Sequence, residues 1–345
     1  MLPRPLAILI AAAALATFGA AQTPSAVIAA PEGDVIGVGN FLHIVANLEK
    51  SLEFYHDILG MDLQPGPGGQ PPPSPRPLLS TPEIVNLYNA TGGQYRVGNT
   101  QVVGNPMRQE LIEWNGVERK PIRPRIQDPG ASILKLTVRN LDPIVARVKK
   151  SGASIVTSGS EPVLLNEHSR AILLRDPDGF FVELIQTTPE PATRVPAESN
   201  FIDVSFAFVV SDSNAMTTVF RDGLGFQPQT GSFGNEGLAL FGLGRAQYRM
   251  TKALVPGSSF EVEWIEFKGV DHAAIHSRPQ DPGTALLRLR VQNMDSGVKA
   301  LGAVGVKIVS TGGNPVTLPG GAQRAAITSA PDNLFIQALQ AAPAR

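Results

Sequence analysis

The sequence predicts an α+β fold of two tandem domains, each made of paired β-α-β-β-β units. Three observations carry this. First, Leu111–Asp142 aligns without gaps on Trp264–Asp295, and about half of those positions are identical. The shared Gln-Asp-Pro-Gly, at 127–130 and 280–283, fixes the register of that repeat. Second, Val45-Ala46-Asn47-Leu48 recurs as Val138-Arg139-Asn140-Leu141, so the first half is itself two units. Third, the turn Asp176-Pro177-Asp178-Gly179 opens an apolar strand to Gln186, and Ala330-Pro331-Asp332-Asn333 opens a similar one to Leu339.

The N-terminus is read separately from the fold. Arg4 precedes an apolar run from Leu6 to Phe18, and Gly19-Ala20-Ala21 then supplies small residues before Gln22. This is the pattern of a cleavable secretory signal, too short for a comfortable membrane span. Residues 1–21 are expected to be removed, with 22–35 a flexible lead-in and a periplasmic or secreted product. The 345 residues carry a net charge of −1, which gives no electrostatic footprint for nucleic acid or an anionic membrane surface. There is no cysteine, hence no disulfide, thiolate nucleophile, cysteine metal ligand or lipidated N-terminal cysteine.

Taken in order, Ile36–Val45 reads as a strand. Asn47 caps a helix that runs to about Ile58, buries Leu52, Tyr55 and Leu59, and stops at Gly60. Pro65–Pro82 is too rich in Pro and Gly for a regular element and is expected as a surface loop or lid, with a short helix near Ile84–Ala90. Strands follow at Gln94–Val103 and Met107–Trp114, then a proline-punctuated connection, Asn115–Gly130. The pattern restarts at Ile133–Val138, with a helix from Asn140 to Gly152 and short strands to Gln186. Together these give a domain at 36–187, a Pro/Thr-rich linker at 188–200, and a second, degenerate domain at 201–340.

The strand after Gly179 alternates Phe181, Glu183 and Ile185 on one face with Phe180, Val182 and Leu184 on the other. A carboxylate in such a strand is costly without a partner. Glu183 is therefore expected to face a metal, a cation, a polar ligand or a water-filled cavity, unless the strand lies at a solvated edge.

The Asp-Pro-Asp-Gly strand with its Glu, and Val45–Tyr55 followed by Leu59-Gly60-Met61, resemble the vicinal oxygen chelate superfamily of glyoxalases, bleomycin-resistance proteins and extradiol dioxygenases. The resemblance spans about residues 36–340 and is stronger in the first half. It implies that two units curl into sheets around a cavity. It also implies a divalent ion held by one residue from the first strand and one from the last strand of each unit. Carried over, those positions are Asn40 and Glu110 in the first unit, and Ile133 and Glu183 in the second. In the second domain they are Ser205, Glu263, Leu286 and Gln337. His43, three residues after Asn40, has the opposite strand parity and should point towards the helices unless a bulge turns it. Asn40, His43, Glu110 and Glu183 are thus the ligand-binding candidates, and Glu110 and Glu183 the metal candidates. Two carboxylates and an amide suit a hard ion such as Mg²⁺ or Ca²⁺ better than Zn²⁺ or Fe²⁺. His56 reads as exposed on the first helix and His168 as a turn residue. His272 and His276, four apart, could bind metal if helical, which Pro279 argues against. Arg170 and Arg175 could serve an anionic substrate but read first as ordinary surface charge.

Three readings of function follow. The first is an exported protein that binds a small oxygenated molecule in the first domain's cavity, with lyase, isomerase or dioxygenase chemistry assisted by one divalent ion. The second is a metal-free binder or sequestering protein of the bleomycin-resistance type. The third has the glutamates pairing with Arg or Lys inside the sheet, in a structural role. No catalytic residue is assigned. A small-molecule ligand and a homodimer are the expected partners, with no nucleic acid and no membrane contact after signal cleavage.

Overall fold

A computed structural model describes residues 35–65, 69–102, 105, 107–193 and 195–341. The expected signal segment 1–21, and all of the lead-in 22–35 except Val35, lie outside the described residues. Among the described residues, no helix is long and apolar enough to cross a membrane.

Four β-α-β-β-β units follow one another. The first holds β1 (Val35–Val45), β2 (Asp62–Leu63), β3 (Gln94–Gln101) and β4 (Arg108–Asn115). The second holds β5 (Ser132–Val138), β6 (Val163–Asn166), β7 (Ser169–Arg175) and β8 (Phe181–Thr187). The third holds β9 (Phe201–Val210), β10 (Gln229–Thr230), β11 (Gln247–Leu254) and β12 (Glu261–Lys268). The fourth holds β13 (Ala285–Val291), β14 (Lys307–Ile308), β15 (Val316–Thr317), β16 (Arg324–Ser329) and β17 (Phe335–Gln340).

The helices of the first, third and fourth units start at a capping side chain. That of the second, Asp142–Ser151, has Leu141 at its N-cap position and no such bond, so Asn140 does not cap it. Asn47 Oδ1 accepts from the Lys50 amide and starts a helix whose first part is Leu48–Leu52. It continues in π geometry over Glu53–Leu59 and ends at Gly60, whose φ of 91° suits glycine. Asp212 and Asn293 cap the corresponding helices of the third and fourth units in the same way. Glu113, three residues after Glu110 and so of opposite strand parity, faces away from the cavity, accepts from the Leu48 amide at 2.8 Å and helps hold the first helix on its sheet.

The sheets curl as the resemblance implies, but their partners are not sequential. The first sheet runs β14-β16-β17-β13-β1-β4-β3-β2, with β15 on β16. The second runs β10-β11-β12-β9-β5-β8-β7-β6. The first unit therefore pairs with the fourth, and the second with the third. Each sheet is joined at its centre by two antiparallel first strands, β1 with β13 and β5 with β9. A first strand has one edge left open by its own unit. That edge must be paired, and local sequence does not say by which unit.

The helix-bearing sides of both sheets share the largest core, where Phe41 packs on Phe180 and Phe206 at centroid distances of 5.5 and 5.0 Å. Each concave side has its own smaller core. In the first sheet the helix Pro82–Leu87, following the proline-rich loop, contributes Val85 and Leu87 against Trp114 and Phe335. In the second, the 3₁₀ turn Leu238–Phe241 contributes Leu240 and Phe241 against Phe181 and Ile265. At about 1.5–3 kcal/mol per buried aromatic or aliphatic side chain, these plugs stabilise the curl and narrow each cavity to a crevice.

The repeated segments clasp one another. Asp128 pairs with Arg125 and accepts from the Ala273 amide at 2.8 Å, while Asp281 pairs with Arg278 and accepts from the Lys120 amide at 2.8 Å. The Gln-Asp-Pro-Gly motif that sets the register in sequence thus joins the two halves reciprocally.

Candidate functional site

Each crevice is lined by polar side chains from four central strands. In the first, Asn40 on β1 donates through Nδ2 to Glu110 Oε2 on β4 at 3.0 Å. Arg288 on β13 donates through Nη1 to the same oxygen at 3.0 Å, and through Nε to Gln337 Oε1 on β17 at 2.8 Å. Burial alone would push the Glu110 carboxyl up, but Arg288 and Asn40 outweigh it and hold it below the usual carboxylate range.

In the second crevice, Lys135 on β5 lies directly opposite Ser205 on β9 and beside Glu183 on β8. Its ammonium is hydrogen-bonded to Glu263 on β12 and lies 3.9 Å from Glu183 Oε2. Lys252, next to Glu263 on β11, reaches Glu263 Oε1 at 2.7 Å. Glu263 resists burial because the two lysines hold its carboxyl well below the usual range. Glu183 goes the other way. Burial raises its carboxyl, Lys135 offsets this only in part, and the charge on Glu263 adds to it. The Glu183 side chain is only 5% exposed and makes no hydrogen bond among the described residues.

Glu110 and Glu183, expected together in one cavity, are therefore in different sheets. The structure brings Glu110 to Asn40, and Glu183 to Lys135 and Glu263. Ile133 and Leu286, at the carried-over ligand positions, lie in the apolar cores of their crevices. The carried-over ligand positions fall on Ile133 and Leu286, two residues before Lys135 and Arg288, so the resemblance does not single out the two cations. A signal was available: the repeat that sets Leu111 on Trp264 also sets Lys135 on Arg288.

His43 points to the helix side. Its Nε2 is 2.7 Å from Asp176 Oδ2, and its Nδ1 is 3.2 Å from the Thr284 carbonyl. Burial pulls its imidazole down, but Asp176 and Asp178 outweigh this and raise it. His43, Asp176 and Asp178 each offer a ligand atom within 4.8 Å of the others, a spacing compatible with one divalent ion. Those atoms also have protein partners. Asp176 Oδ1 accepts from the amides of Asp178 and Phe180, which is what shapes the turn, and Oδ2 accepts from Tyr55 as well. Asp178 accepts from the Ala46 amide and the Ser51 hydroxyl.

The crevices themselves fit a metal poorly. In each, a side-chain cation already occupies the carboxylate that would coordinate it. Of the other polar groups, His56, His168, His272 and His276 are all exposed. Arg175 stacks over Phe181 at 4.3 Å, and Arg170 pairs with Asp142 at 2.9 Å. A cavity of about 500 Å³ opens at the edge of the second crevice, lined by Thr230, Ser232, Glu236, Tyr248, Met250 and Lys252.

Residues 37–184 match the family model of the Glyoxalase/Bleomycin resistance protein/Dioxygenase superfamily. Residues 37–184 belong to that superfamily. The fold likeness extends over the rest of the chain. Glyoxalase I from Zea mays is 16% identical with a TM-score of 0.55, over 90% of this chain and 92% of that one. A putative dioxygenase from Bacillus subtilis is 10% identical with a TM-score of 0.54, over 90% and 86%. At these identities the likeness shows a shared fold, and nothing about substrate follows. No curated protein matches the sequence.

Proposed function

We propose that this superfamily member is an exported protein that binds a small oxygenated molecule in the crevice of the second sheet. One observation carries the reading: Lys252 forms part of the wall of the 500 Å³ cavity and also bonds Glu263, linking that cavity to the buried Lys135–Glu183 cluster. A buried carboxylate without a hydrogen bond is costly. A ligand hydroxyl donating to Glu183, or a carbonyl accepting from its protonated form, would relieve that cost. Export is supported by the signal-like pattern at residues 1–21.

The test is thermal denaturation of the full chain with small carboxylic, carbonyl and phenolic compounds, repeated in Lys252→Met and Tyr248→Phe. A compound whose stabilisation is lost in these variants supports the crevice as its site. A compound that stabilises wild type and both variants equally overturns it.

A second reading is favoured by the spacing of His43, Asp176 and Asp178: metal-assisted chemistry with one divalent ion at that cluster. Elemental mass spectrometry of wild type and Asp178→Asn decides it. Metal in the first and not the second supports this reading, and equal metal in both removes it.

A further inference from the structure

The two crevices follow one rule. The repeat offset that sets Glu110 on Glu263 sets Lys135 on Arg288, and in space each aligned pair falls at the same place in its own sheet. An even-numbered unit supplies the cation from its first strand, and an odd-numbered unit supplies the glutamate from its last strand. The last strand of the cation's own unit adds a further acceptor: Glu183 beside Lys135, Gln337 beside Arg288. The first strand facing the cation adds a small polar residue, Ser205 opposite Lys135 and Asn40 opposite Arg288.

The backbone is shaped for the cation too. A Cβ at Gly39 would lie 2.7 Å from Cγ and Cδ of Arg288, so that glycine makes room for the guanidinium stem. The register between β1 and β13 shifts between Val38 and Phe41, so two residues of β1, Gly39 and Asn40, face Arg288 alone.

We infer that Lys135 and Arg288 are resident cations, occupying in each crevice the place that the fold family gives to a divalent ion. Each neutralises the carboxylate that would otherwise bind metal, and each consumes the coordination sites on it. Unlike an ion, the charge cannot exchange or be removed by a chelator. Lys135 has three N–H donors, and its ammonium directs the positive charge that an ion would supply towards a ligand oxygen. This inference is independent of which ligand the protein takes.

The consequence is testable by gain of binding. Replacing Lys135 with His removes the resident charge and sets an imidazole between Glu183 and Glu263, a set of N/O donors suited to a divalent transition metal. Co²⁺ would be titrated into full-length wild type, Lys135→His and Arg288→His, following visible absorption and heat of binding, with folding checked by circular dichroism. The expected result is about one equivalent of Co²⁺ bound by Lys135→His, lost again when Glu263→Gln is added, with no Glu263-dependent binding in wild type. Arg288→His, with Glu110, Gln337 and Asn40, carries the same test if Lys135→His does not fold. The inference is overturned if wild type binds Co²⁺ that Glu263→Gln or Glu110→Gln abolishes, or if a folded histidine variant binds none.

Discussion

Arg288 and Glu110 face each other across the first crevice, Nη1 to Oε2 at 3.0 Å, although they lie in units at opposite ends of the chain. Both are largely shielded from solvent, with side chains 16% and 18% exposed. Glu110→Gln is expected to leave a buried guanidinium without its counter-charge and to cost about 3 kcal/mol in urea denaturation. The double variant Glu110→Gln/Arg288→Met should recover part of that loss. An additive cycle would show that the pair is not coupled.

Glu183 carries an opposite pH signature to Glu110. Its carboxyl is raised, so the folded chain holds that proton more tightly than the unfolded chain. Stability should fall as pH rises from the unfolded carboxylate value, about 4.3, through the higher folded value. Glu183→Gln should match wild type at low pH and exceed its stability at neutral pH. For Glu110, whose carboxyl is lowered, the contribution is present above the unfolded value and is lost as pH falls through the folded one. Glu110→Gln should flatten that acid limb. Denaturant midpoints from pH 3 to pH 8 measure both; parallel profiles for wild type and Glu183→Gln would contradict the assignment.

Asp176 organises the turn before β8 from inside. Its two oxygens accept from the Asp178 and Phe180 amides and engage His43 and Tyr55. Asp176→Ala should cost about 3 kcal/mol or more, because it strands several buried donors at once. The thermal midpoint of the variant checks this, and a near-neutral change would show that water replaces the carboxylate.

Gly283 closes the repeated Gln-Asp-Pro-Gly motif at φ 91°, and a Cβ there would lie 2.6 Å from the Ile122 carbonyl oxygen. Gly152 has φ 75° with nothing within 4 Å of an added Cβ. Gly283→Ala should therefore destabilise by about 2 kcal/mol more than Gly152→Ala, which pays only the backbone term. Equal midpoints for the two variants would refute the close approach as the reason for that glycine.

Much of the local structure was legible in the sequence. Asn47 marked the first helix start, Gly60 its end, and the Asp176–Gly179 turn the start of the last strand of its unit. Parity alone sent His43 to the helix side. These features depend on neighbours in sequence. The site was harder to read. Asn40, Glu110 and Glu183 each face a crevice, but Glu110 and Glu183 do not share one, and their true partners, Arg288 and Lys135, are each contributed by another strand.

The sequence by itself determined the four β-α-β-β-β units, their repeat and the face on which each glutamate lies, because helical caps, turn residues and a strand period of two act over a few residues. Only the tertiary structure decided which units share a sheet. The open edges of β1 and β5 each have several chemically equivalent partners, and hydrogen bonding between backbones carries no label for the correct one. Pairing β1 with β13 and β5 with β9 placed Arg288 against Glu110 and Lys135 against Glu183 and Glu263. Of the two apparent metal ligands, Glu110 thereby became the counter-charge of Arg288, and Glu183 came to lie beside a lysine held by Glu263.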